Sequence, residues 1–247
     1  MIERPPIVVL GANHSGTRLL VDILRTLGSA AGRIDNEWLE DEAFLNIHRR
    51  LIDRVAGKGW TDTIFDMEFV GGYRDDARLV PEIREWLAQS LSDSFPDRSG
   101  PWHWKCPTAV MFLPSWMEIF PDALFVHIER DSTEVARSLV RRRQFLGFDR
   151  ATAFYEAMNR RILEARGSMK NYVRLPMESL GNSLPALVVK AGLEPEQEAL
   201  LDACRKIRPH PMRGWRADRS VLHNLWEATT NFRAALRGRN RSVREDT

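Results

Sequence analysis

Four consecutive apolar residues, Ile7–Leu10, end at Gly11, and three of them are β-branched. A short run of this kind with no polar alternation predicts a strand buried on both faces, as in a parallel sheet. Leu19, Leu20, Ile23, Leu24 and Leu27 then recur at helical spacing, and Gly28 marks the stop. Residues 11–18 therefore join a buried strand to the start of a helix.

The pattern continues along the chain. A polar, acidic stretch follows Gly32, and Leu39, Phe44, Leu45, Ile47, Leu51, Ile52 and Val55 predict a helix over its second half. Gly71 and Gly72 break the chain. Residues 79–91 form a helix with Ile83, Leu87 and Leu91 on one face, and residues 94–101 are a turn-rich connector. Trp102–Lys105 leads into Pro107, and residues 113–120 read as helical up to Pro121. Ala123–Ile128 is the clearest second buried strand, ending in Glu129 and Arg130. Residues 131–143 begin with Asp-Ser-Thr and end with three arginines, a charge order that suits a helix dipole. A helix over 154–165, a strand over 172–175 and a helix after Ser183 complete the pattern. Strands alternating with helices predict a three-layer α/β/α fold around a central parallel sheet. One domain over residues 1–236 is expected, with the charged tail 237–247 disordered for want of apolar anchors.

Composition narrows the function classes. The 247 residues carry 36 basic and 34 acidic side chains, a net charge of +2. That near balance argues against general nucleic-acid binding while leaving room for local anion sites. The two cysteines, Cys106 and Cys204, lack metal-type spacing, which suits a reducing compartment. The first apolar stretch has four residues, too short for a signal peptide or membrane anchor. A cytoplasmic protein with no membrane span is expected.

The loop carries the first candidate chemistry. Gly11 and Gly16 have the spacing of a phosphate-binding loop, but Thr17 and Arg18 stand where a P-loop kinase needs Lys followed by Ser or Thr. A strand–loop–helix unit points backbone N–H groups and the positive end of a helix at one spot. Asn13, His14, Ser15, Thr17 and Arg18 add side-chain donors around it, with Gly16 allowing close approach. Without the lysine and a Mg²⁺-holding hydroxyl, a nucleoside triphosphate is poorly neutralised. A sulfuryl group on one phosphate needs less compensation. The plain alternative is a glycine turn whose hydroxyls cap the helix.

The mid-chain segment from Trp102 to Arg143, with Lys105-Cys106-Pro107, the run from Phe120 to Asp131, and Ser138 eight residues past Arg130, resembles the 3′-phosphate-binding segment of sulfotransferases that use 3′-phosphoadenosine 5′-phosphosulfate (PAPS). Residues 11–20 resemble the 5′-phosphosulfate loop of that family, and residues 173–180 echo a later segment. The resemblance implies a P-loop NTPase-like fold and transfer of a sulfuryl group from PAPS to a hydroxyl or amine, leaving 3′,5′-adenosine bisphosphate (PAP). It implies Arg130 and Ser138 on the 3′-phosphate and Lys105 near the phosphosulfate. His14 would serve the bridging oxygen, where many members carry Lys or Arg. It also implies a late basic loop at Arg213, Gly214 and Trp215, with Arg213 on the 3′-phosphate. Taken singly, Arg130 reads as a surface arginine paired with Asp131 or Glu134, and Lys105 as a solvated strand-end lysine.

Transfer to a hydroxyl needs a base. Glu37, Glu40, Asp41 and Glu42 resemble the acidic segment of bacterial and carbohydrate-type members, which implies Glu40 or Asp41. Neighbours on a helix project about 100° apart, and periodicity does not separate them. The alternative is a solvated acidic face. His48 and His103 are reserve candidates, His127 reads as a core histidine and Cys106 as packing. A small-molecule or carbohydrate acceptor is expected. A divergent Mg·ATP kinase and a non-catalytic nucleotide-binding protein are the competing readings.

Overall fold

A computed structural model describes residues 4–34, 38–95 and 99–207. In chain order the elements are β1 (Ile7–Leu10), α1 (Thr17–Thr26), β2 (Ala30–Ala31), α2 (Glu42–Ala56), α3 (Trp60–Thr63), α4 (Met67–Gly72), α5 (Val80–Ser94), β3 (Trp102–Lys105), a 3₁₀ turn (Pro107–Phe112), α6 (Leu113–Ile119), β4 (Leu124–Glu129), α7 (Ser132–Arg141), α8 (Phe148–Ala165), β5 (Asn171–Pro176), α9 (Leu180–Lys190) and α10 (Gln197–Lys206). The five strands form one parallel sheet in the order β2-β3-β1-β4-β5.

The unbroken apolar run of β1 has a direct structural meaning. Successive side chains point to opposite faces of a strand, and both faces here are covered. Ile7 and Val9 join Leu20, Ile23, Leu24 and Leu187 in a core under α1, α9 and α10. Val8 and Leu10 join Phe44, Trp104, Trp116 and Phe154 in a core under α2, α5, α6, α7 and α8. The result is the three-layer α/β/α architecture. Phe44 stacks on Trp104 with centroids 4.0 Å apart, and Trp116 packs tilted against both. Trp102, Trp104 and Trp116 are thus core residues.

The chain leaves β1 for β3 on one side, by way of the edge strand β2, and later returns to β4 on the other. β1 is therefore the point where strand order reverses, and the crevice outside its carboxyl end is where open α/β sheets bind ligands. The register aligns Val9 with Lys105 and Leu10 with His127, so the loop after β1, Lys105 and Arg130 emerge at the same edge.

Differences from the sequence expectations are local. Helix α8 begins at Phe148 rather than near 154, with Ala151 also buried. Helix α9 begins at Leu180, three residues before the expected Ser183. Strand β2 has two residues, too few for a pattern, and α10 buries Leu200, Ala203 and Cys204. The tail 237–247 lies outside the described residues.

Candidate active site

The loop between β1 and α1 is built by its backbone. A Cβ on Gly11 would come within 2.5 Å of Ser15 Oγ and 3.0 Å of Ile128 O, so only glycine fits. Gly16 has φ 107° and is the N-cap of α1, a left-handed position that glycine adopts at no cost. Helix α1 has no side-chain cap and no acidic residue in its first turn. Its first N–H groups are left for an anion.

His14 sits in this loop in the left-handed region, φ 66°. Its ring is held from both sides. Nε2 is 3.0 Å from Gln144 Oε1, and Nδ1 is 3.0 Å from Ser138 Oγ. The amide oxygen only accepts, so Nε2 donates to it, and neutral Nδ1 accepts from the Ser138 hydroxyl. Burial lowers the His14 pKa below its ordinary value. The charges of Arg142, Arg130 and Arg141 push it the same way, against the hydrogen bond to Gln144. Trp38 meets the ring edge-on at 5.9 Å, and the Arg142 guanidinium lies 5.5 Å from the centre of the Trp38 ring.

Arg130 follows β4. Its Nε donates to Glu134 at 2.9 Å and its Nη1 donates to His14 O at 3.4 Å. The Tyr155 hydroxyl accepts from Arg130 N and donates to Arg130 O, fixing the strand tip. Asp131 caps α7 by accepting from Glu134 N.

Lys105 ends β3. It is 4% exposed and donates to Trp38 O at 3.0 Å and Glu40 Oε1 at 3.2 Å. Around these groups lies a cavity of about 600 Å³. Among the described residues, Arg18, Arg49, Lys105, Arg130, Arg141 and Arg142 line it against a single carboxylate, Glu40. Such a lining is complementary to a polyanion.

The sulfotransferase family profile matches residues 5–180. The chain belongs to the sulfotransferase family. It superposes on the sulfotransferase domain of the Synechococcus PCC 7002 olefin synthase with a TM-score of 0.54 at 16% identity, covering 94% of each chain. Against sulfotransferase STF9 from Mycobacterium avium the TM-score is also 0.54 at 16% identity, covering 92% of this chain and 76% of the other. These similarities show a shared fold. No curated protein matches in sequence.

The sulfotransferase cavity gathers Asn13, His14, Gly16, Thr17, Arg18, Glu40, Lys105, Arg130 and Ser138. Ser15 is different. Its hydroxyl donates to Ala12 O at 2.8 Å and is fully buried, so it closes the turn instead of facing the cavity. The two acidic neighbours also part. Just before α2, Ile34 bridges to Asp41, and Glu42 N donates to Arg33 O. Glu40 lines the cavity, whereas Asp41 is buried away from it. Asp41 caps α2, accepting from Phe44 N, and its Oδ2 sits against Gly32 and Phe95 without a hydrogen-bond partner among the described residues. Burial pushes its pKa up to about 7.

The reserve histidines are core residues. His48 donates from Nδ1 to Phe44 O and accepts at Nε2 from Trp116, while His103 meets Ser29 Oγ at 2.8 Å. Both are buried, as is His127, which meets the Tyr172 hydroxyl. The Cys106 thiol, beside Thr108 Oγ1, is pushed up by burial to about 12. Lys105 is buried and paired, not solvated. Glu37, Arg213, Gly214 and Trp215 lie outside the described residues.

Sequence reasoning missed Gln144 and Trp38. Gln144 reaches His14 because α7 ends in a Schellman turn. Arg143 N donates to Val140 O, and Gln144 N donates to Leu139 O. The turn residue Arg143 has φ 57°, where glycine is usual. With arginine there, no residue type signals the turn.

Proposed function

We propose that this sulfotransferase moves a sulfuryl group from PAPS to the hydroxyl of a small-molecule acceptor, with Glu40 as the general base. The observation that carries the reading is the contact between the two anion-binding segments, Ser138 Oγ to His14 Nδ1 and Arg130 Nη1 to His14 O. They meet in a cavity where, among the described residues, Arg18, Lys105, Arg130, Arg141 and Arg142 stand around one carboxylate, Glu40, and a donor with phosphate at both ends fits that charge. When bound, the donor supplies the sulfuryl group itself.

The chain's residues divide the work. The N–H groups at the start of α1, with Thr17 and Arg18, hold the 5′ end. Arg130 and Ser138 hold the 3′-phosphate, the guanidinium through charge-assisted hydrogen bonds. Arg130 then exchanges part of its contact with Glu134 for the phosphate. Lys105 donates to Glu40 and fixes the position of the carboxylate that accepts the proton. His14 donates a hydrogen bond where negative charge gathers on the departing oxygen. Burial, with the nearby arginines, holds its pKa down in the free protein, and an anionic ligand offsets the arginines and raises it.

Incubation with donor labelled in its sulfuryl group tests the reading. Label is expected to pass to hydroxyl acceptors in wild type and not in Glu40→Gln. Cofactor binding with no label passed to any member of a broad hydroxyl and amine panel contradicts it, leaving a non-catalytic binding protein.

A further inference from the structure

Part of the cavity is left unused by the groups that hold the donor. Leu45, Trp60, Ile64 and Phe65 line it, and Arg49 lines it with them. Leu45 and Arg49 are four residues apart on α2 and share one face of the helix. The next arginines on this helix are engaged elsewhere: Arg50 lies 5.6 Å from the centre of the Trp86 ring, and Arg54 faces Glu82 at 3.8 Å. Arg49 donates only to Asn46 Oδ1, at 3.3 Å, and has no carboxylate partner among the described residues. A guanidinium that lines a cavity with apolar side chains, unpaired with an acid among the described residues, is a binding group for a carboxylate.

The spacing is set by the helix. Glu40 immediately precedes the Asp41 cap, and Arg49 lies eight residues beyond that cap. At 1.5 Å per residue the backbone of Arg49 lies roughly 12 Å along the axis from the Asp41 cap, beside which Glu40 sits.

We infer that the acceptor is an elongated hydroxy acid, with its hydroxyl at Glu40, an apolar middle against Leu45, Trp60, Ile64 and Phe65, and a carboxylate on Arg49. This rests on the sulfotransferase reading with Glu40 as base. A neutral alcohol leaves Arg49 without a partner, and a short hydroxy acid does not reach it.

The test is acceptor binding to the protein loaded with PAP, measured by calorimetry. The probes are ω-hydroxydecanoate, its methyl ester and ω-hydroxyhexanoate. Wild type is expected to bind the long acid at least about tenfold more tightly than either other probe, a difference of about 1.4 kcal/mol. In Arg49→Gln the long acid is expected to fall to the level of the ester, and Arg49→Lys to recover part of the preference. PAP affinity is expected to stay within about twofold in both variants. Equal binding of acid and ester overturns the inference, as does a preference that survives Arg49→Gln, binding of neither long probe, or tighter binding of the short acid. Failure to bind PAP at all instead defeats the donor reading, and the acceptor inference falls with it.

Discussion

Ser138 Oγ lies 3.0 Å from His14 Nδ1 although 124 positions separate the two residues in the chain. The hydrogen bond joins the loop after β1 to helix α7, which starts just past the tip of β4. It brings a titratable ring to the hydroxyl assigned to the 3′-phosphate. Because Gln144 takes the other ring nitrogen, the free protein holds His14 as a neutral ring of defined tautomer.

His14→Ala is expected to lower turnover about a hundredfold to a thousandfold, the usual effect of losing one donor to developing negative charge. The dissociation constant for PAP is expected to change less than about tenfold. Steady-state kinetics and calorimetry on the same variant check this. Equal losses in both contradict a role for His14 in the transfer step.

Glu40 and Asp41 are expected to behave oppositely. Glu40→Gln removes the base and lowers turnover about a hundredfold to ten-thousandfold. It also leaves the Lys105 ammonium buried without its carboxylate, which costs about 3–5 kcal/mol for a buried pair. Asp41→Asn keeps the cap acceptor for Phe44 N and is expected to retain turnover within a few fold. Chemical denaturation and kinetics on both variants decide. A silent Glu40→Gln, or an inactive but folded Asp41→Asn, reverses the assignment.

The division of that acidic pair shows what the sequence alone carried. The β1 strand and the α1 face were legible because burial on both faces and helical periodicity are local properties. The orientation of Glu40 was not, because Leu39 before it turns through a left-handed φ of 56° without a glycine, and Asp41 after it is placed by its bridge to Ile34. The Ser15 hydroxyl was read as a ligand donor, but a carbonyl three residues back captures it. Gln144 and Trp38 owe their places to a turn without glycine and to Lys105 gripping the Trp38 carbonyl. Neither has a sequence pattern of its own.

Acid is expected to destabilise the fold in a defined window. Burial holds His48, His103 and His127 down to about 4, about 3 and about 4. Unfolded, each takes a proton near pH 6.5. Below that value the unfolded state binds more protons, so this stability is full above about pH 6.5 and falls as the pH drops toward 4. Asp41, raised to about 7, acts in the opposite sense. Its contribution is full below about pH 3.8 and is lost as the pH rises through 7. Near pH 5 the excess is about two protons on the unfolded state, three from the histidines less one from Asp41. Urea midpoints across the range should fall on acidification, and more steeply in Asp41→Asn than in wild type. A profile flat from about pH 7 to 4.5 contradicts this account.

Tyr155→Phe is expected to weaken PAP binding without touching the ligand. The hydroxyl both donates to and accepts from the Arg130 backbone. Its loss leaves those groups unpaired at about 1–3 kcal/mol and frees the strand tip that carries the guanidinium. Binding roughly tenfold weaker, with acceptor affinity unchanged, is the expected result. Unchanged PAP affinity would mean that the tip is held by other contacts.

The central claim is that one doubly phosphorylated adenosine spans the loop after β1 and the start of α7. Calorimetry with PAP and with ATP, each with and without Mg²⁺, tests it most directly. Tight, metal-independent binding of PAP, weakened at least about tenfold in Arg130→Ala and in Ser138→Ala, is the predicted result. A preference for Mg·ATP, or PAP affinity indifferent to both substitutions, contradicts it.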